Sequence, residues 1–168
     1  MCQLTNRLTE HKYLGSYLQL AEIVRKYSAA SFLDVQRFWE IVSWITGNSD
    51  MHCKNFSLIE RHGVGYVLSP AYDLLSVQLT GITDPDELAM PLVGYARDER
   101  KALKGFDRPA FVEAMIESGI PEKIGSRLIE RMKCCRDKWC DILDMSFLSD
   151  TLRAAYKTLI DERLERLS

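Results

Sequence analysis

From Asp107 to the C-terminus, apolar residues recur at three- and four-residue intervals, and no other feature constrains the architecture as strongly. Asp107 is placed to cap a helix whose first turn holds Pro109, with Phe111, Met115 and Ile116 inward and Gly119 ending it. Pro121 opens a long helix with a stripe of Ile124, Leu128, Met132, Cys135, Trp139 and Ile142. Ser149 or Asp150 caps a last helix that buries Leu152, Tyr156, Leu159 and Ile160. Upstream, Tyr17–Ser28 carries Leu18, Leu20, Ala21, Ile23 and Val24 at helical spacing. A second helix, with Asp34 as N-cap or first-turn acid, runs through Val35, Phe38, Trp39, Val42 and Ile45 to a stop at Gly47-Asn48. Between these blocks, Phe56–Glu60 and Tyr66–Ser69, joined through Gly63-Val64-Gly65, form a β-hairpin signal that Pro70 closes. Tyr72 to about Lys104 is mixed, and Pro85 and Pro91 exclude long helices there. The predicted fold is mainly α with a small inserted β-hairpin, one domain over residues 1–168.

Lysine and arginine (22) nearly balance aspartate and glutamate (24), so no broad basic face for direct nucleic-acid binding is expected. No run approaches the ~18 apolar residues of a membrane span, and Met1–Asn6 lacks the charged head and apolar stretch of a leader. With five cysteines, an odd number, the expectation is a reduced, cytoplasmic protein. Cys134, Cys135 and Cys140 cluster at no zinc spacing, and His11, His52 and His62 lie far from them in sequence. They are read as small hydrophobes, with Cys135 and Trp139 on one helix face.

The chemistry sits in Gly47–Ile59. Asp50 and Asn55 stand five apart in a polar loop, Asn55 just before a strand, and the hairpin leads on to Asp73. Phosphoryl transfer needs a carboxylate that orients the attacking hydroxyl and accepts its proton, and oxygen ligands that hold Mg²⁺ between the phosphates. By reversing the chain, the hairpin returns Asp73 to the pocket that Asp50 and Asn55 face, so three oxygen-bearing side chains converge as hard ligands suited to Mg²⁺. Asp50 is then the catalytic base, Asn55 one metal ligand through its amide oxygen, and Asp73 the principal metal ligand. Lys54 can contact a transferring phosphate, and His52 braces the loop. An Asp and an Asn five apart are common in polar loops, and Asp73 can also cap a short helix through Leu74 and Leu75; the order and the hairpin give the set its weight. Gly63-Val64-Gly65 lacks the third glycine of a phosphate loop, since Leu68 stands there, and is read as a turn.

Gly47 to Leu58 resembles the catalytic loop of HipA-family toxin kinases, whose Asp-x-His-x-Lys-Asn-Phe-Ser signature is matched by Asp50, His52, Lys54, Asn55, Phe56 and Ser57. Leu68–Ser76 resembles the family's Pro-x-Tyr-Asp segment, in which the aspartate binds metal, through Pro70, Tyr72 and Asp73. Glu87–Gly94 and the opening through Lys12-Tyr13 are similar to further family segments. The resemblance implies the C-terminal helical lobe of a protein-kinase-like fold and a serine/threonine kinase using ATP and Mg²⁺. It places cofactor contacts at Lys54, Asn55 and Asp73. It also implies a toxin with a helix-turn-helix antitoxin as partner, and a translation component such as an aminoacyl-tRNA synthetase as substrate. The family's N-terminal lobe brings a glycine-rich loop and a phosphate-pairing lysine, and this chain starts too late to contain either. Alone it is therefore expected to be inactive or nearly so, as an excised domain, a truncated product or one piece of a split system. Two alternatives stand beside this. A small-molecule phosphotransferase of the aminoglycoside or choline kinase type shares Asp50, His52 and Asn55, but usually has histidine at the position of Asn48 and Pro-Gly in place of Cys53-Lys54. A non-catalytic interaction domain is opposed by the cost of three inward-facing polar groups, unless they are hydrated or metal-bound.

Overall fold

Ser16 Oγ accepts a hydrogen bond from the Gln19 N–H (3.3 Å) and starts helix α1, Tyr17–Tyr27. The computed structural model of the chain describes residues 1–5, 8–42, 44–80, 87–94 and 106–168. Tyr17, Leu20, Ala21 and Val24 form the buried face of α1. Its first-turn donors are satisfied from outside the helix: Tyr17 N–H reaches Pro91 O (3.0 Å) and Leu18 N–H reaches Leu92 O (2.9 Å). This fixes the segment that places Leu88, Ala89, Met90 and Leu92 in the core.

Helix α2, Ser31–Ile41, packs beside α1 and buries Val35, Phe38 and Trp39. Asp34 is a first-turn acid, as the sequence suggests, and it also ties the helix to the hairpin. Its buried carboxylate accepts from Ser28 Oγ (2.6 Å) and from the backbone N–H of Leu68 (2.7 Å). The hairpin itself is β1, Leu58–Arg61, antiparallel to β2, Gly65–Leu68, with Leu58 opposite Leu68 and Arg61 opposite Gly65. Gly63 and Gly65 both take positive φ (74° and 102°) at the turn, so the glycine pair does serve as a hairpin turn.

Helix α3, Arg108–Glu117, is capped by Asp107, whose carboxylate accepts from Ala110 N–H (3.0 Å), and Gly119 (φ 94°) follows its end. Then come α4, Glu122–Lys133, α5, Arg136–Asp144, and α6, Asp150–Arg166, the last capped by Ser149. One apolar cluster runs from α1 and α2 through the hairpin to α3, α4 and α6. Among the described residues no helix is long and apolar enough to cross a membrane.

Four expectations need correction. The second helix stops at Ile41, not Gly47; Val42 leaves helical geometry (φ −58°, ψ 101°), and the following turn carries Trp44 into the core against Phe111 (5.2 Å between ring centroids) and under the Arg163 guanidinium (4.6 Å). The long helix after Pro121 is two helices that part at Cys134-Cys135, and Ile142, on the second of them, is 60% exposed. Ile116 and Leu152 are exposed, because α3 buries Ala114 with Phe111 and Met115, and α6 turns Ile160, Arg163 and Leu164 inward. Of the three clustered cysteines only Cys140 is buried; Cys135 is half-buried and Cys134 is exposed. Pro85 and the stretch 95–105 lie outside the described residues.

Candidate active site at the foot of the hairpin

Gly47 begins the loop in left-handed conformation (φ 77°), and a Cβ there would stand 2.7 Å from Leu159 Cδ2 on α6 and 3.0 Å from Ser76 Oγ. Its carbonyl accepts from Gln78 N–H (3.3 Å). The segment after Asp73 and the last helix thus both hold the start of the loop.

Asn48, 1% exposed, links the two aspartates. Its Oδ1 accepts from the backbone N–H of Asp50 (3.2 Å), an Asx-type turn, and its Nδ2 donates to the backbone carbonyl of Asp73 (3.2 Å). Asn55 sits at the end of a short 3₁₀ turn, Cys53–Asn55. Its Oδ1 accepts from His52 N–H (2.9 Å) and its Nδ2 donates to Asp73 Oδ2 (2.6 Å). Asp73 is the one non-glycine residue among those described with positive φ (55°), a conformation that aspartate tolerates better than most side chains. Tyr72 secures the approach to it, donating to Lys54 O (2.7 Å) and sharing a hydrogen bond with Ser57 Oγ (2.6 Å).

Asp50 is half-exposed and its Oδ1 accepts from the Tyr13 hydroxyl (2.5 Å). The Lys12 ammonium lies 4.6 Å from the centre of the Tyr13 ring. Hydrogen bonding to Tyr13 raises the Lys12 pKa most, burial opposes this, and the charges of Asp50 and then Asp73 raise it further. One ammonium therefore feels both carboxylates. His52 is buried behind Tyr13, edge to face with it at 5.2 Å, and its Nδ1 has no hydrogen-bond partner. Burial, then the Lys12 charge, push the imidazole pKa down, with Asp50 opposing. The ring is neutral near pH 7, as suits a brace. The loop behind it is pinned by the Tyr17 hydroxyl, which donates to Met51 O (2.6 Å) and which burial keeps protonated.

Asn55 and Asp73 are thus in direct contact, Asp50 is joined to them through Asn48, and Lys54 is an exposed residue on the rim. The cost argued for three inward-facing polar groups does not hold in that form. Asp73 is exposed, Asp50 is half-exposed, and each carboxylate already has a donor. The donors nonetheless fit a hard divalent cation. The Asp73 carboxylate is open to water, and the Asn55 amide oxygen keeps a second lone pair beside the one facing His52 N–H. Among the described residues no group of three or more His, Cys, Asp and Glu side chains could hold a metal, so such a site needs the asparagine and water. Tyr13, Asn48 and Tyr72 were not assigned roles from the sequence. Asn48 carries a usable local signal, an Asx residue two positions before the loop aspartate. Tyr13 carries no local one, because it meets Asp50 across 37 residues; its signal is the family-like segment that ends at Lys12-Tyr13.

A cavity of about 560 Å³ lies beyond Asp73, lined among others by Ile41, Ile45, Leu68, Leu74, Leu75 and Trp139. Neither Asp50, Asn55 nor Asp73 lines it.

A sequence profile described as HipA-like C-terminal domain matches residues 1–139. Two proteins named "Putative kinase" are similar to this chain. Y4dM of Sinorhizobium fredii is 33% identical over 111 residues, 64% of this chain and 26% of that protein. One of Haemophilus influenzae is 28% identical over 95 residues, 55% of this chain and 28% of that protein. Among solved structures, HipA of Shewanella oneidensis MR-1, in a toxin–antitoxin complex with HipB and operator DNA, superposes with a TM-score of 0.68 at 23% identity. The match covers 91% of this chain and 36% of that one, and at this identity it is a likeness of fold. The chain, spanning about a third or less of the length of these relatives, belongs to the HipA-like C-terminal domain family.

Proposed function

We propose that this chain is the catalytic lobe of a HipA-type serine/threonine kinase, transferring the terminal phosphoryl group of Mg²⁺-bound ATP to a protein hydroxyl. The observation that carries the reading is the linked set in which Asn55 contacts the Asp73 carboxylate and Asn48 ties the Asp73 backbone to that of Asp50. Asp50 orients the acceptor hydroxyl and takes its proton through the carboxylate oxygen that Tyr13 does not occupy. Asn55 and Asp73 would hold Mg²⁺, which when bound neutralises charge on the phosphate oxygens. Lys54, exposed on the rim, reaches toward phosphate, and His52 braces the loop. The lobe is helical and kinase-like, and the residues described supply no clamp on the nucleotide, so this lobe by itself transfers phosphate slowly. The solved HipA complex supports a DNA-binding antitoxin as partner. A translation component such as an aminoacyl-tRNA synthetase is the substrate class proposed with it, and the working compartment is the cytoplasm. An amide at Asn48 bridges the two aspartates where aminoglycoside and choline kinases usually carry histidine, which sets that reading behind this one.

The second reading is a non-catalytic binding domain, favoured by the fact that Asn55 already satisfies the Asp73 carboxylate without metal. Melting curves with Mg²⁺ and ATP separate the two. At ten times Kd a bound ligand adds about 1.4 kcal/mol, a rise of about 3–6 °C for a domain of this size. That rise, lost in Asp73→Ala, is expected of the kinase lobe; no rise at millimolar magnesium and nucleotide supports the binding domain.

A further inference from the structure

Asp50 accepts a hydrogen bond from outside its own loop: the Tyr13 hydroxyl donates to its Oδ1 at 2.5 Å from a segment 37 residues upstream. Resting on the phosphoryl-transfer reading above, we propose that Tyr13 is the positioning residue for the general base Asp50. A carboxylate on a half-exposed loop rotates freely unless one oxygen is fixed. A phenol on Oδ1 sets the plane of the group and leaves Oδ2 to receive the acceptor hydroxyl.

A tyrosine on a catalytic carboxylate can instead be a plug that mimics the acceptor hydroxyl and must leave before substrate enters. The surroundings of Tyr13 decide between the two. Its ring, 44% exposed, makes an edge-to-face pair with buried His52 at 5.2 Å and carries the Lys12 ammonium at 4.6 Å. The Lys12 carbonyl accepts the backbone N–H of Cys53 (3.2 Å), so the arm that bears Tyr13 is stitched to the loop that bears Asp50. To swing out, the phenol would have to break its bond to Asp50, leave the edge of a buried imidazole and pull on a backbone hydrogen bond. These contacts make a brace of the arm. They also give His52 its place: it buttresses the ring that holds the base.

Tyr13→Phe is the direct test, because it keeps the ring against His52 and Lys12 and removes only the hydroxyl. Phosphate transfer from Mg²⁺-ATP is measured in wild type, Y13F, D50A and the double variant, with magnesium–nucleotide binding followed by the melting shift. Positioning predicts a fall in kcat of about 100-fold in Y13F, an unchanged KM for ATP, an unchanged melting shift, and no further loss when Y13F is added to D50A. A rise in kcat in Y13F identifies a plug and overturns the proposal, as does an equal further loss in the D50A background. If wild type shows no magnesium–nucleotide melting shift, the kinase reading fails first; if it binds but transfers phosphate too slowly to rate, as expected of this lobe alone, kcat is not readable. The Asp50 carboxylate in a crystal structure of Y13F then decides the Tyr13 question alone. Rotation or dispersal of the group supports positioning, and an unmoved carboxylate overturns it.

Discussion

The side-chain amide of Asn55 donates to the carboxylate of Asp73 at 2.6 Å, joining two residues eighteen apart in sequence at the foot of the β-hairpin. Without metal, this bond closes the site on itself. With magnesium, the two side chains would share one cation through oxygen. Asn55→Asp separates these states. It sets a second carboxylate against Asp73 where a donor stood, so the apo protein is expected to lose about 1–3 kcal/mol. Millimolar Mg²⁺ should restore more stability to N55D than it adds to wild type, since the cation now bridges two anions. Melting temperatures of both proteins across a magnesium titration check this. Equal responses count against a cation at this position.

Gly47 takes φ 77° with Leu159 Cδ2 and Ser76 Oγ in its path. Gly47→Ala adds the left-handed penalty to overpacking against α6, about 2–4 kcal/mol in sum. A melting temperature lower by about 5–15 °C is expected, read by circular dichroism. Ala substitution at Gly63, where a Cβ meets nothing within 4 Å, carries only the backbone part of that cost.

Arg163 is 2% exposed and donates to Trp44 O (2.7 Å) and Gln78 Oε1 (2.6 Å), with Glu87 at 3.5 Å. It joins α6 to the turn before the loop that holds Asp50 and to the segment after Asp73. Burial lowers its pKa to about 10, with the Glu87 charge opposing. Arg163→Ala leaves those acceptors without their donor and is expected to cost about 3–5 kcal/mol. Glu165→Ala, at an exposed position on the same helix, is expected to fall within about 0.5 kcal/mol of wild type. Urea denaturation of the two variants measures the difference.

Glu87 supplies the pH dependence. Burial alone would raise its pKa, but the hydrogen bonds from Arg166 and the charges of Arg163 and Arg166 outweigh burial and hold the carboxyl below its ordinary value near 4.5. Its contribution is therefore fully present above about pH 4.5 and is lost as pH falls through the lowered folded value. His52, with its pKa pushed below the usual 6.5, acts in the same direction at higher pH, because the unfolded chain takes up its proton first as the solution is acidified. The stability gap between wild type and Glu87→Gln should be constant from neutral pH down to about pH 5 and close below it. A gap that widens on acidification contradicts this assignment.

The signals that the sequence carries are local ones. Asp107, Pro109 and Gly119 bracket α3 in a single stretch, and Gly63 and Gly65 mark the hairpin turn, so both elements are legible from neighbours alone. The end of α2 is not, because Trp44 leaves helical register to meet Phe111 and Arg163, which are distant in sequence. Nor is the break at Cys134-Cys135, where the apolar stripe runs on although the helix is interrupted. The site divides in the same way. The meeting of Asn55 with Asp73 follows from a loop, a strand pair and a turn in order. The Tyr13–Asp50 bond and the grip of Leu159 and Arg163 on the loop depend on how distant segments pack.

Mn²⁺ substitutes for magnesium at oxygen sites and broadens the NMR signals of nuclei close to it, so it reports directly on which side chains hold the metal. Added at low concentration with a non-hydrolysable ATP analogue to ¹⁵N-labelled protein, it should erase the Asn55 side-chain amide and the Asp73 backbone signals first, with Asp50 and Lys54 next. Signals on α3 and α5 should remain sharp. Broadening that spares Asn55 and Asp73, or that spreads evenly over exposed carboxylates such as Asp137 and Asp150, would contradict a metal–nucleotide site at the foot of the hairpin.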